Sequence, residues 1–342
     1  MTKEKNVPSF NLGQEQTEDG TAFKYSNEMF RVKAFSELVS NQNLLKPIKP
    51  ILGYWGYEGE VIVVGGKTNS GKSILVEDLA FACAAGISWW PDSFALEFRQ
   101  KVLIIDSEMT DRQFVQRYKG MVGNPNILRA TFWNTQYHGE ELEDFIDNLE
   151  GVISAPEGPR VVIVDNISTI SAMVSPTIVL KLLSMLKRLK DDYGCTIIIV
   201  THTNKTSETK GLSLNDFRGS MVFMNMADTV IGIGNTNDDP ETKYIKLMKS
   251  RNVRIPDSVS LVRIVEDPYL HMEFVEEVEE NDVLPKGKRR GPAPSITPER
   301  AAKIRDMNEC GLSLRAIGNN MGLGKSTIKR FLDEEQAKAA IQ

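Results

Sequence analysis

The sequence predicts an α/β core built on a mainly parallel, twisted sheet, followed by a small all-α domain. Three observations lead there. Apolar, β-branched stretches alternate with amphipathic helical stretches from about residue 51 to about residue 275, the order that gives a parallel sheet covered on both faces. A glycine-rich loop joins the first of those strands to the helix after it. Beyond residue 296 the periodicity becomes purely helical, after a basic segment rich in Pro and Gly.

The chain has 342 residues, with 41% hydrophobic and 25% charged side chains, ordinary values for a globular protein. No apolar run approaches the ~20 residues that span a bilayer, and the polar start (Met1, Thr2, Lys3, Glu4, Lys5) does not read as a signal peptide. Cys83, Cys195 and Cys310 show neither pairing nor metal spacing, which suits a reducing cytoplasm. The net charge of −5 argues against general nucleic-acid affinity, but its distribution does not. Residues 283–342 hold 12 Lys and Arg against 6 Asp and Glu, a balance of +6 that leaves −11 on the rest. A basic appendage on an acidic body is implied.

In order along the chain, residues 1–27 are polar and aperiodic and are read as largely disordered, or as an arm that docks elsewhere. Residues 28–46 form a short helical region that Pro47 and Pro50 end. A buried strand is expected over Val61–Val64. Gly66, Lys67, Thr68, Asn69, Ser70, Gly71, Lys72 and Ser73 follow, then a helix over 73–86 that begins with Ile74. Strand, glycine loop and helix make a phosphate-binding loop: backbone N–H groups turn inward on a phosphate and the helix N-terminus adds its dipole. In this pattern Lys72 reaches the β- and γ-phosphates of ATP, and the Ser73 hydroxyl holds Mg²⁺.

The next strand, Lys101–Asp106, ends in carboxylates at Asp106 and Glu108. Helices are expected over 110–121, 139–150 and 177–193, and strands over Arg129–Trp133, Val161–Asp165, Thr196–Thr201 and Thr229–Ile233. Four apolar residues ending in Asp165 form a Walker B strand, placing Asp165 near Mg²⁺. Asn166 after it cannot act as a base; the resemblance of these strands to a RecA-like core, where the catalytic glutamate stands at the end of a strand such as 101–106, implies Glu108 as the residue that activates the attacking water, with Asp106 as the alternative. His202, at the ligand edge of the sheet, is read as a γ-phosphate sensor that informs the loop from Thr203 to Asp216. That loop carries Lys205 and Lys210 and either grips a nucleic-acid backbone or is an ordinary surface loop. Lys249 and Arg251, two residues apart at a strand end, point the same way and suit insertion into a neighbouring subunit's nucleotide site. The bland alternative is a solvated strand end.

Residues 244–249, 261–266 and 271–275 read as a closing antiparallel set, and the acidic run Glu276–Asp282 reads as a solvated linker. Lys286, Lys288, Arg289 and Arg290 lie in a Pro/Gly tether. Thr297 caps a helix with Pro298 at its first position, and Gly311 stops it. A second helix runs from Ser313 to Met321, and a third starts at Lys325 after the turn Gly322–Gly324. Leu312, Leu314, Ile317, Met321, Ile328, Phe331 and Leu332 are the expected common core. In this helix-turn-helix pattern Lys325, Ser326, Thr327, Lys329 and Arg330 face duplex DNA, and the Lys286–Arg290 cluster can lie in a minor groove. Gly322–Thr327 imitates a second phosphate loop, but Asn319 stands where its first glycine belongs and no strand precedes it.

The motifs GGKTNSGKS, VLIIDSE, RVVIVDN, IIIVTHTNK, FRGSMVFMNMADTVIGI and LMKSRN, in this order, resemble the RecA-like core of RepA-type hexameric replicative helicases, AAA family ATPases with DnaB-type helicases as more distant relatives. The resemblance covers residues ~47–275. It implies a ring, a hexamer in the family's manner, around single-stranded DNA, with ATP between subunits, Mg²⁺ as cofactor and fingers in trans. It carries onto Lys72, Ser73, Glu108, Asp165, His202, Lys249 and Arg251, and adds Arg218 near the phosphates. Replication proteins are implied partners and a membrane is not. A separate N-terminal helical domain of the DnaB kind is not seen in the pattern. The C-terminal module resembles the DNA-binding domains of resolvases and invertases. The organisation is thus an arm (1–46), an ATPase core (47–275), a linker (276–295) and a helix-turn-helix domain (296–342). The competing functional reading is an ATP-switched loader or recombination mediator that does not unwind.

Overall fold

A computed structural model describes residues 25–26, 31–53, 55–87, 99–131, 142–167, 176–204, 210–217, 224–237, 240–284 and 296–339. The chain divides into two compact units, residues 1–285 and 286–342.

The first unit opens with a two-strand ribbon, β1 (Tyr25–Ser26) and β2 (Arg31–Val32), and a short helix α1 (Phe35–Ser40). Most of the expected arm, residues 1–24 and 27, lies outside the described residues. A second small hairpin, β3 (Pro50–Leu52) with β4 (Gly56–Tyr57), leads into β5 (Val61–Gly66) and α2 (Lys72–Ala85). Then come β6 (Val102–Asp106), α3 (Asp111–Arg117), β7 (Ile127–Thr131), α4 (Leu142–Ile153) and β8 (Val161–Asp165). Helix α5 (Pro176–Tyr193), β9 (Thr196–His202) and β10 (Thr229–Asn235) complete the alternating part. Strands β11 (Thr242–Lys249), β12 (Ser258–Val265), β13 (His271–Glu279) and the short helix α6 (Glu280–Val283) close the unit.

Nine strands form one sheet in the order β13-β12-β11-β10-β5-β9-β8-β6-β7. The six from β10 to β7 are parallel, and β11, β12 and β13 continue it antiparallel. Alternation along β5 builds both faces. Ile62 and Val64 pack with α2 residues Leu75, Val76 and Leu79, whereas Val61 and Val63 pack with Ile146 of α4 and Leu182, Leu183 and Leu186 of α5. All of these are buried. The central strands β6, β8 and β9 therefore read as apolar runs that end in polar residues, Asp106, Asp165 and His202. Among the described residues no helix is long and apolar enough to cross a membrane.

Several expected boundaries move: α3 ends at Arg117 rather than 121, α4 ends at Ile153 rather than 150, and β12 starts at Ser258 rather than Leu261. Strand β7 starts at Ile127 rather than Arg129, because Asn124 makes a turn there: its side chain accepts from Asn126 N at 3.0 Å and its carbonyl from Ile127 N at 3.0 Å. The expected end at Trp133 lies outside the described residues. The acidic run is no solvated linker. Residues 276–279 are the last part of β13, and 280–283 are α6. The Glu277 carboxylate accepts from Ser258 Oγ at 2.9 Å and from the Ser260 hydroxyl, and Glu280 accepts from Leu212 N at 2.9 Å and pairs with Lys246. Hydroxyl and ammonium donors absorb the charge, and a charged edge strand resists pairing with other sheets.

Helix α3 is clamped on α2. Glu77, 1% exposed, accepts from the Tyr118 hydroxyl and from Arg117 Nη1 at 3.4 Å. Tyr118 also sits edge-on to Phe81, with ring centroids 4.9 Å apart. Burial pushes the Glu77 carboxyl up to about 8, only partly opposed by Arg117, and pushes the neighbouring Asp78 up to about 7. Because the folded pKa of Glu77 lies above its ordinary 4.5, its contribution to stability is full below pH 4.5 and is lost as pH rises through about 8. Asp78 acts in the same direction from 3.8 to about 7. Glu77→Gln is therefore expected to flatten the fall in melting temperature between about pH 5 and pH 8. Thermal melts of both proteins across that range test it, and an unchanged slope would refute the assignment.

The second unit is three helices: α7 (Pro298–Glu309), α8 (Leu314–Met321) and α9 (Lys325–Ala339). Thr297 Oγ1 accepts from Arg300 N at 3.4 Å, so the expected cap forms, and Ser313 Oγ accepts from Ala316 N at 3.3 Å to cap α8 as well. Residues 322–324 are the turn between α8 and α9, with a helix before them and no strand. Ile304, Ile317, Met321, Leu323 and Ile328 make the core, with Leu314, Phe331 and Leu332 against it. Leu312, expected inside, is exposed at 36%. It lies in the turn after Gly311, and Leu323 from the second turn fills the core in its stead.

Candidate active site

Strand β5 delivers the phosphate loop to the carboxyl edge of the sheet, beside the end of β9: Gly66 is in register with His202. Asn69 (φ 61°) and Gly71 (φ 90°) are left-handed, which turns the backbone around the loop. A Cβ on Gly66 would lie 2.4 Å from Ser70 Oγ and 2.7 Å from the Ile233 carbonyl, so only glycine fits. Lys72 is 6% exposed and its Nζ donates to the Lys67 carbonyl at 2.7 Å, bracing the ammonium inside the loop. Burial lowers its pKa, while the carboxylates of Asp165 and Glu108 pull the other way and favour the charged form. Ser70 Oγ is buried with no hydrogen-bond partner among the described residues. An acceptor oxygen from a phosphate would satisfy that hydroxyl. Thr68 and Asn69 are exposed, and Ile74 anchors the start of α2 on the core.

The Ser73 hydroxyl donates to Asp165. Asp165 is 6% exposed, and burial pushes its carboxyl up to about 6, with Asp106 and Glu108 adding to the rise and Ser73 and Lys72 opposing it. A hydroxyl and a desolvated carboxylate beside a phosphate loop are hard oxygen ligands suited to Mg²⁺, which takes few protein ligands when phosphates share it. Among the described residues no three His, Cys, Asp or Glu side chains are grouped to hold a metal by themselves. The residues present thus fit a nucleotide-borne cation and not a protein-only cage.

The two candidate bases separate cleanly. Asp106, 3% exposed, uses Oδ1 to accept from Glu108 N at 2.9 Å and Met109 N at 3.0 Å, and Oδ2 to accept from Arg129 Nε at 3.2 Å and Nη2 at 2.7 Å. Every acceptor direction is taken. Asp106 shapes the turn that carries Glu108, and it shares Arg129 with Asp111 and the Met109 carbonyl. Glu108 instead has a side chain 51% exposed, free to reach a water. The capping box of Thr110 with Gln113 starts α3 immediately after it and limits how far the turn can shift.

His202 lies where the sequence places it. Its Nε2 is 3.2 Å from Asn166 Nδ2 and 3.9 Å from Glu108 Oε1, and Asn166 Nδ2 also donates to Glu108 Oε1. Asn166, Arg129 and Ser107 are neighbours of these side chains that the sequence reading did not single out as site residues. Asn166 was passed over because it cannot be a base; its place directly after Asp165 was the available signal.

Lys249 and Arg251 sit at the opposite edge of the sheet from their own phosphate loop, since Lys249 pairs with Val230, which pairs with Val63 near the start of β5. Within this chain the Lys249 ammonium donates to the carbonyls of Met224 (2.9 Å), Asn225 (2.8 Å) and Ala227 (2.7 Å), and burial lowers its pKa. Arg251 pairs with Asp228 at 3.2 Å but keeps a side chain 53% exposed. Neither reaches its own chain's nucleotide site. Lys210 is exposed, as are Lys325, Lys329 and Arg330, while Thr327 is half-buried and Ser326 lies within α9. Lys205, Arg218, Lys286, Lys288, Arg289 and Arg290 lie outside the described residues.

A parallel sheet with a glycine loop off β5, a Ser–Asp pair at its foot and a carboxylate off the strand beyond defines a P-loop ATPase. The chain belongs to the AAA domain family, whose model matches residues 28–208, just over half of it, from before β2 to just past β9. No curated protein matches the chain.

Proposed function

We propose that this chain is a hexameric, DNA-dependent ATPase with a RecA-like core of the RepA helicase kind, moving on single-stranded DNA at the expense of ATP and reaching duplex DNA through its three-helix unit. The observation that carries the catalytic part is the row of side chains along the carboxyl edge of the sheet. Lys72 and Ser73 follow β5, His202 ends β9, Asp165 ends β8 and Glu108 follows β6. Such a row equips the chain for hydrolysis and not for nucleotide binding alone.

In this reading the loop amides and Lys72 hold the β- and γ-phosphates, and Ser73 and Asp165 hold Mg²⁺. The ion, when bound, neutralises charge on the phosphates. Glu108 accepts a proton from water as its oxygen bonds to the γ-phosphorus. The bond from that phosphorus to the β–γ bridging oxygen breaks, giving ADP and phosphate. Lys72 stabilises the charge that develops. Lys249 and Arg251, remote from their own site, act on a neighbour's; Arg251 is the less encumbered of the two. The DNA assignment is supported by the charge balance of residues 283–342 and by the basic first half of α9.

The test is phosphate release with and without single-stranded DNA, beside unwinding of a forked duplex. We expect single-stranded DNA to raise the rate several-fold or more and the fork to open. Hydrolysis with a fork that stays closed would instead mark a loader or mediator.

A further inference from the structure

We infer that Asn166 is a positioning residue for hydrolysis: its amide bridges His202 and Glu108 and makes the orientation of the base depend on the histidine. The inference rests on the reading of Glu108 as the base.

The sheet order explains why only this position can do it. Strand β8 lies between β9 and β6. Adjacent strands are about 4.8 Å apart, so residues leaving β9 and β6 are separated by about twice that. The residue leaving β8 is within reach of both. Asn166 is that residue, and it is 3% exposed. Its backbone is held as well: Asn166 N donates to Ser107 Oγ at 3.1 Å, and Ser107 N donates to the Asp165 carbonyl at 2.9 Å. The amide is therefore a fixed pivot, whereas Glu108 is half in solvent.

The chemistry of the pivot is one-sided. Only the NH₂ end of the amide can face a carboxylate, and Nδ2 carries two hydrogens. One goes to Glu108 Oε1, and the other points to His202 Nε2 at 3.2 Å. With the ring proton on Nδ1, Nε2 accepts it. One carboxylate oxygen of Glu108 is thus tied and the other is left for water. If His202 turns, for instance toward a phosphate, the shared donor is redistributed and Glu108 turns with it. A misplacement of about 1 Å in such a group costs on the order of 10²-fold in rate.

Asn166→Asp keeps the shape and removes the donor; Asn166→Ala removes both. We expect kcat to fall by about 10–100-fold in each, with the Kd for a fluorescent ATP analogue changed by less than about threefold, as Lys72 and the loop are untouched. In a double-mutant cycle, His202→Ala combined with Asn166→Ala should be no slower than the worse single variant, because both break one link. A readout independent of turnover is the ¹⁵N spectrum of the imidazoles. The chain has only three histidines, and in wild type Nε2 of His202 should carry no proton. In Asn166→Asp it should gain one. Asn166 variants within twofold of wild-type kcat, multiplicative losses in the cycle, or an unmoved His202 signal would each overturn the inference. A Glu108→Gln control separates the two failures. If it hydrolyses ATP normally, the reading of the base is wrong and the inference falls with it. If it is inactive while Asn166→Ala is not, only the inference fails.

Discussion

Glu108→Gln is expected to lower kcat by about 10²–10⁴-fold, the range for loss of a general base, with nucleotide affinity retained. The glutamine is nearly isosteric, and its amide cannot take the proton of the attacking water. The surroundings predict that the fold survives. Glu108 is not the member of the pair that bears structure. Asp106 is, through Arg129 and the amides of residues 108 and 109. The Glu108 side chain is half-exposed, so exchange leaves no buried charge without a partner. Single-turnover phosphate release together with analogue binding measures both quantities. Normal turnover in this variant would remove Glu108 from the mechanism, whereas lost binding would mean that the carboxylate shapes the nucleotide site itself.

Lys72→Ala should have the largest effect on binding. The ammonium is 6% exposed and held 2.7 Å from the Lys67 carbonyl, so it is already oriented where phosphates would lie. Removing one preorganised donor from a desolvated site typically costs 10²–10³-fold in rate. Here a full positive charge goes with it, and Asp165 loses an opposing charge that holds its pKa down. The carboxyl of Asp165, already pushed up to about 6, would rise further and release Mg²⁺ more readily as pH falls. We expect no measurable turnover and weakened analogue binding, most so in mildly acidic buffer. Binding equal to wild type at pH 6 would contradict the placement of Lys72 over the phosphates.

Much of the architecture was legible because parallel strands buried on both faces are unbroken apolar runs. β5, β6, β8 and β9 each read that way and each ends in the polar residues that matter. Where the chemistry was not local, reading along the chain failed. Residues 276–279 look like a solvated acidic tail, yet they extend β13, where Ser258 and Ser260 on the paired strand donate to the Glu277 carboxylate. Leu312 has the periodicity of a core residue, but the turn that contains it points to water and Leu323 is buried instead. Arg129 gave no sign of clamping Asp106, because the two are 23 residues apart and meet only through the register of β6 with β7.

What the sequence by itself determined was whatever depends on short spacing: the phosphate loop, the carboxylates at strand ends, the helix cap at Thr297, and the basic tail. What the tertiary structure alone decided was which of those groups share hydrogen bonds. The order β5-β9-β8-β6 sets Asn166 between His202 and Glu108, and the register of β6 on β7 gives Asp106 its contacts with Arg129 while Glu108 stays half-exposed. That order is a matter of long-range strand pairing, which the burial of whole faces stabilises and no local pattern encodes.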